Sequence, residues 1–145
     1  MYLQNRHASS FQSNVDLHQL LQLLSAQAST AAMPFNSTLL YANTTSLTFN
    51  MPYYLTHHFP LVTAQWGPHG LLNWQVVQFT STPGDSDNPN GSEPPYTVQA
   101  ILTWRDKECF TAAMASKEWK TVFDDVPNFC NEMPLMMVGD VVGSS

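Results

Sequence analysis

His58 is the residue of this chain best suited to move a proton. An imidazole titrates near neutral pH and serves as either acid or base. Tyr54 lies four residues before it, so a helix through both places the two rings on one face. Tyr53 and Trp66 fall on or near the same helix. An aromatic-lined cleft with one basic group suits a flat acidic or phenolic ligand. There the imidazole would deprotonate a phenol or stabilise a carboxylate while carbon dioxide leaves. Tyr41, Tyr96, Asn73, Gln75 and Gln99 are candidates to hold polar substituents. A histidine near a helix end also serves as a cap or as a satisfied buried polar group, and that reading stands beside the catalytic one. His57 and His69 are read as solvated. Adjacent histidines on a helix diverge by about 100°, and no Cys or carboxylate falls at ligand spacing, so no metal is expected. Met133, Met136 and Met137 read as packing or cavity lining. Gly67-Pro68-His69-Gly70 reads as a turn, no Gly-rich phosphate loop is present, and nothing marks a flavin, nicotinamide or haem site. The chemistry expected is therefore cofactor-free.

The elements that must position these residues follow from periodicity. A short apolar run at 37–41 reads as a strand. Asn50 can cap a helix running from 51 to about 65, with Pro52 tolerated in its first turn. Pro60 lies inside that helix, so a kink or break is expected after His58 or Phe59. A second strand spans 71–79, with Leu72, Trp74 and Val76 on one face and Asn73, Gln75 and Val77 on the other. Residues 80–95 form a long exposed turn rich in Pro, Gly, Asp, Asn and Ser. The clearest strand is 96–104, where Tyr96, Val98, Ala100, Leu102 and Trp104 alternate with Thr97, Gln99, Ile101 and Thr103. Asp106 caps a second helix from 107 to about 123 that buries Phe110, Ala113 and Met114. Trp74 and Trp104 are read as core. The last strand spans 135–142. The order β-α-β-β-α-β is the ferredoxin-like split βαβ arrangement of an α+β fold. Both helices cover one face of a four-stranded antiparallel sheet. The other face carries large residues and needs a cover, because a monomer rarely exposes an apolar patch above about 300–600 Å². A second copy of the sheet is the simplest cover, which predicts a homodimer.

Composition bounds the rest. The chain has 145 residues, room for one domain, with 43% hydrophobic and 11% charged residues, a globular composition. A net charge of −6 argues against nucleic acid as a partner, because phosphate binding needs a basic face. No apolar run of about 18 residues occurs, so no membrane span is expected. Residues 1–32 hold Arg6 and Asp16 as their only formal charges and read as an extension with one amphipathic helix, carried by Leu17, Leu20, Leu21 and Leu24 and capped by Asn14 or Ser13. His18, Gln19 and Gln22 interrupt the apolar core that a signal peptide would need. Met33-Pro34-Phe35 reads as the start of the compact domain, 33–145. With no entry signal, the sequons at Asn36, Asn43 and Asn90 are expected to stay unmodified, and Cys109 and Cys130 to be reduced thiols in the cytoplasm.

Order and spacing also carry a family likeness. The stretch Phe49-Asn50-Met51-Pro52-Tyr53-Tyr54-Leu55-Thr56-His57-His58-Phe59-Pro60-Leu61-Val62 resembles the signature of EthD-like proteins, with His58 as the matching histidine. Trp66, Gly70-Leu71, Trp74, the run Pro95-Tyr96-Thr97-Val98-Gln99-Ala100, the segment from Phe110 to Ser116 and the run from Val122 to Phe129 match as well. The resemblance covers about residues 36–143. It implies a dimeric α+β barrel. Its members include a protein required for ether degradation alongside an oxidative system, and fungal relatives resemble decarboxylases or related lyases acting on aromatic polyketide acids. This chain departs from the pattern with Asn50 and Pro52 where acids are usual, Asp124 in place of a glycine and Cys130 in place of a serine. The likeness implies a small cofactor-independent enzyme on an aromatic or polyketide-like substrate, working by decarboxylation, dehydration or cyclisation with His58 as acid/base. An oxidoreductase or its accessory, and a carrier of a small hydrophobic ligand, are the alternative expectations.

Overall fold

A computed structural model describes residues 33–145 together with Leu17 and Gln19. The helix expected over Leu17, Leu20, Leu21 and Leu24 lies outside the described residues, apart from Leu17 and Gln19, which are helical. Residues Met33–Ser145 form one compact unit. Strand β1 (Phe35–Ala42) leads into a helical segment in three parts: α1 (Met51–Tyr53), a π turn (Tyr54–His58) and α2 (Phe59–Trp66). Strands β2 (Leu71–Gln78) and β3 (Tyr96–Trp104) follow, then α3 (Lys107–Met114), α4 (Lys117–Asp124), a 3₁₀ turn (Val126–Asn128) and β4 (Leu135–Asp140). The strands pair in the order β2-β3-β1-β4, every neighbour antiparallel. This is the ferredoxin-like α+β fold that the element order implies.

Alternation decides what each strand offers the helices. Phe35, Ser37, Leu39 and Tyr41 of β1 are buried, as are Val98, Ala100, Leu102 and Trp104 of β3. Trp104 donates its Nε1–H to Ser37 Oγ at 3.0 Å, so the buried indole N–H and the buried serine satisfy each other. The opposite face consists of cross-strand rows. Asn36, Thr103 and Asn73 form one row; Thr38, Ile101 and Gln75 the next; Leu40, Gln99 and Val77 the third. Met137 and Leu135 of β4 extend the second and third rows and are both half exposed. That face is more polar than expected, with its apolar part gathered around Leu40, Ile101, Leu135 and Met137.

Both helices differ from expectation, each for a local reason. Pro60 does not break the first helix. It lacks an N–H and its ring crowds the preceding turn, and the turn before it widens: Phe59 N–H bonds Tyr54 O, five residues back. The second helix is two, because Ser116 accepts from Trp119 N at 3.3 Å and starts α4 anew. Met114 sits at the end of α3 and is 44% exposed rather than buried.

Candidate functional site

The π turn keeps Tyr54 and His58 on one face and brings both inward. Their rings stack at 5.3 Å and 12°, and both residues are buried. Asn50 fixes the start of this segment, its side chain accepting from Tyr53 N at 3.1 Å. Asn50 N–H in turn bonds Phe129 O at 2.7 Å, and Phe49 bridges Cys130. These bonds tie the loop after α4 to the helix start. They set Phe129 against His58, ring centroids 4.5 Å apart.

The same loop carries the residue that sequence reasoning missed. Asp125 Oδ2 lies 2.8 Å from His58 Nδ1. Tyr53 OH donates to Asp125 Oδ1 at 2.9 Å, and Asn128 Nδ2 donates to the same oxygen at 2.8 Å. Burial works against charge on Asp125, but the hydrogen bonds from Asn128, His58 and Tyr53 outweigh it and hold the carboxyl below the usual range. An ionised carboxylate only accepts, so His58 Nδ1 carries the proton and donates. Burial lowers the pKa of His58; the Asp125 carboxylate opposes that shift without reversing it. The imidazole is therefore neutral at physiological pH, with its Nε2 lone pair free and no partner for that atom among the described residues.

His58 faces a cavity enclosed by the inner layer of the sheet, the π turn, α2 and α4. Tyr41, Tyr54 and Trp66 line it with His58. Four sequence candidates thus meet in one place. Burial raises the pKa of both tyrosine phenols well above the ordinary value, so both are neutral. Trp66 is buried and stacks on Trp119 at 4.7 Å and 19°. Its indole N–H has no partner among the described residues.

Four other candidates are not in this cavity. Asn73, Gln75 and Gln99 occupy the opposite face of the sheet. A strand's side chains alternate, and their phase puts these three away from the helices. Tyr96 sits at the start of β3 beside a register shift and lines a separate groove with Phe79, Pro83, Pro94 and Pro95. His69 is not free in solvent but lies 3.4 Å from Glu118 on α4. His57 stacks on Tyr53 at the exposed surface. Cys109 Sγ accepts from Arg105 Nη2 at 2.9 Å.

The cavity is also smaller than an aromatic chamber. Its volume is about 20 Å³, room for one water or one small polar group. Aromatic rings take up most of the space around it: Tyr41, Phe49, Tyr54 and Phe129 pack edge-on or tilted on one another at 4.7–6.2 Å. Among the lining residues only Phe123 and Pro134 are partly exposed, and they mark its mouth.

Residues 44–132 match the model of the EthD domain. The chain belongs to the EthD domain family. Its solved relatives share the fold over nearly their whole length. An EthD-like protein from Ralstonia eutropha JMP134 is 19% identical, with a TM-score of 0.67 over 79% of this chain and 96% of that one. An ethyl tert-butyl ether d (EthD) family protein from Bacillus halodurans C-125 is 20% identical, with a TM-score of 0.57 over 76% and 100%. SnoaB, a cofactor-independent oxygenase from Streptomyces nogalater, is 10% identical, with a TM-score of 0.52 over 78% and 97%. No curated protein matches the sequence. In this EthD domain the matched segment spans both halves of the site, from Asn50 and His58 to Asp125 and Phe129. No helix among the described residues is long and apolar enough to cross a membrane.

Proposed function

We propose that this EthD domain is a small cofactor-independent enzyme that moves a proton on an aromatic or polyketide-like substrate, in decarboxylation, dehydration or cyclisation. The observation that carries the reading is the buried imidazole of His58, held at Nδ1 by the Asp125 carboxylate 2.8 Å away. A carboxylate so placed fixes ring orientation and tautomer, leaving Nε2 as the base. When Nε2 takes a proton, the imidazolium forms beside a negative charge that offsets its burial. The same proton is then available to return to the product. General acid–base catalysis of this kind contributes about 10²–10⁴-fold.

The cavity admits the reacting group and not a whole ring, so the remainder of the substrate meets Phe123 and Pro134 at the mouth. Tyr54 and Tyr41 offer neutral hydroxyls inside. Two further proposals complete the picture: the open sheet face pairs with that of a second copy around Ile101, and the protein is cytoplasmic.

A His58→Gln variant tests the reading with any ligand found to bind. Retained binding with lost turnover supports it. Retained turnover removes His58 from the chemistry and leaves a ligand carrier.

A further inference from the structure

Buried donors without partners are rare, because an N–H taken out of water loses a hydrogen bond that nothing replaces. Trp66 Nε1–H is one: the residue is 2% exposed, its N–H has no partner among the described residues, and it lines the cavity that His58 enters. Of its polar groups, Trp66 can only donate, and Tyr41 and Tyr54 are neutral hydroxyls that both donate and accept. The one nitrogen acceptor is His58 Nε2, and Asp125 stands behind the ring, on its far nitrogen. A ligand that satisfies both Trp66 and His58 must bring an acceptor oxygen and, next to it, an acidic hydrogen.

We infer that the cavity is the subsite for the carbonyl oxygen of a carbon acid, held by Trp66 Nε1–H while His58 Nε2 removes a proton from the adjacent carbon. The inference rests on the acid/base reading of His58 and names its substrate class. When Nε2 takes the proton, the C–H bonding pair becomes the C=C bond of an enolate. The carbonyl π pair moves to oxygen, where the indole N–H meets the growing negative charge. Return of the proton from Nε2 to carbon restores the carbonyl, so atoms and electrons balance without an oxidant or reductant. The volume of about 20 Å³ agrees with entry of a carbonyl end and with exclusion of the body of the molecule. A water is the alternative occupant, since it offers the same acceptor oxygen.

The test uses the full-length ¹⁵N-labelled protein with 2,4-pentanedione as probe. The Trp66 indole signal is assigned by its loss in Trp66→Phe. The expected result is that the probe shifts this signal and displaces any water cross-relaxing with it. The protein should also speed exchange of the probe's carbon-bound hydrogens with D₂O, and Trp66→Phe should lose about 10²-fold of that acceleration, as when one oxyanion donor is removed. If the indole signal stays fixed and its water contact persists, the cavity is a hydration site and the inference fails. It fails equally if the wild-type protein gives no acceleration. Should Trp66→Phe lose its fold, the signal shift in the wild-type protein still decides. The two readings fail separately. Loss of exchange in His58→Gln with an unmoved indole signal overturns only the Trp66 role, whereas full exchange in His58→Gln overturns the acid/base reading.

Discussion

A histidine packed between Tyr54 and Phe129 can be neutral or charged, and its neighbours decide which. Burial lowers its pKa more than Asp125 raises it. Folding therefore favours the neutral ring while the unfolded chain takes up a proton at the ordinary histidine value. It follows that the stability His58 contributes is present above about pH 6.5 and is lost as pH falls from there toward the lowered folded value. Asp125, also lowered, adds a second loss at pH below the usual carboxylate range. Urea midpoints measured from pH 8 to 5 should fall on the acid side, and His58→Gln should flatten the first part of that fall. Asp125→Ala leaves the buried Nδ1–H without its acceptor and should cost about 1–3 kcal/mol at pH 7.5, read from the same midpoints. Asp125 was not legible as a partner in the sequence. It lies 67 positions from His58 and directly follows Asp124, which pairs with Lys120 at the surface. Nothing in two adjacent acids says which one turns inward. The placement of Asn73, Gln75 and Gln99 failed for a different reason: alternation tells which residues share a face, not which face the helices cover.

At the scale of elements, the four strands were legible to within about two residues because period-two alternation is strong in β3 and adequate elsewhere. The helices were legible in position but not in form. Pro60 announces a disturbance, yet whether it kinks the helix or widens a turn depends on the packing of Tyr54 and His58 against the sheet. The break between α3 and α4 hangs on Ser116. In sequence it reads as one more helical residue; in the structure its Oγ caps α4 and donates to Ala113 O at 2.6 Å. Ser116→Ala should therefore destabilise the domain by about 1 kcal/mol, measured by thermal or urea unfolding. No such loss would mean that α3 and α4 are set by packing of Phe110, Trp119 and Phe123 alone.

For the whole molecule, the sheet has one face under helices and one without cover from residues 33–145. Its apolar residues cluster where the second and third rows cross β1, β3 and β4. Ile101 stands in the middle, between Thr38 and Gln75. If two copies pair through this face, sedimentation will give the mass of two chains, and Ile101→Lys will give the mass of one with an unchanged circular dichroism spectrum. A wild-type protein sedimenting as one chain would remove the pairing and leave the site intact, because His58, Asp125 and Trp66 all lie on the covered side.

The chemistry of the site passes through one ring and the atom of it that is left free. Imidazole ¹⁵N shifts of His58, followed from pH 8 to 4 and assigned through His58→Gln, report tautomer and titration together. The structure predicts a proton on Nδ1, a bare Nε2 at neutral pH and a midpoint below the ordinary histidine value. A proton on Nε2 at neutral pH, or a midpoint at or above that value, would contradict it.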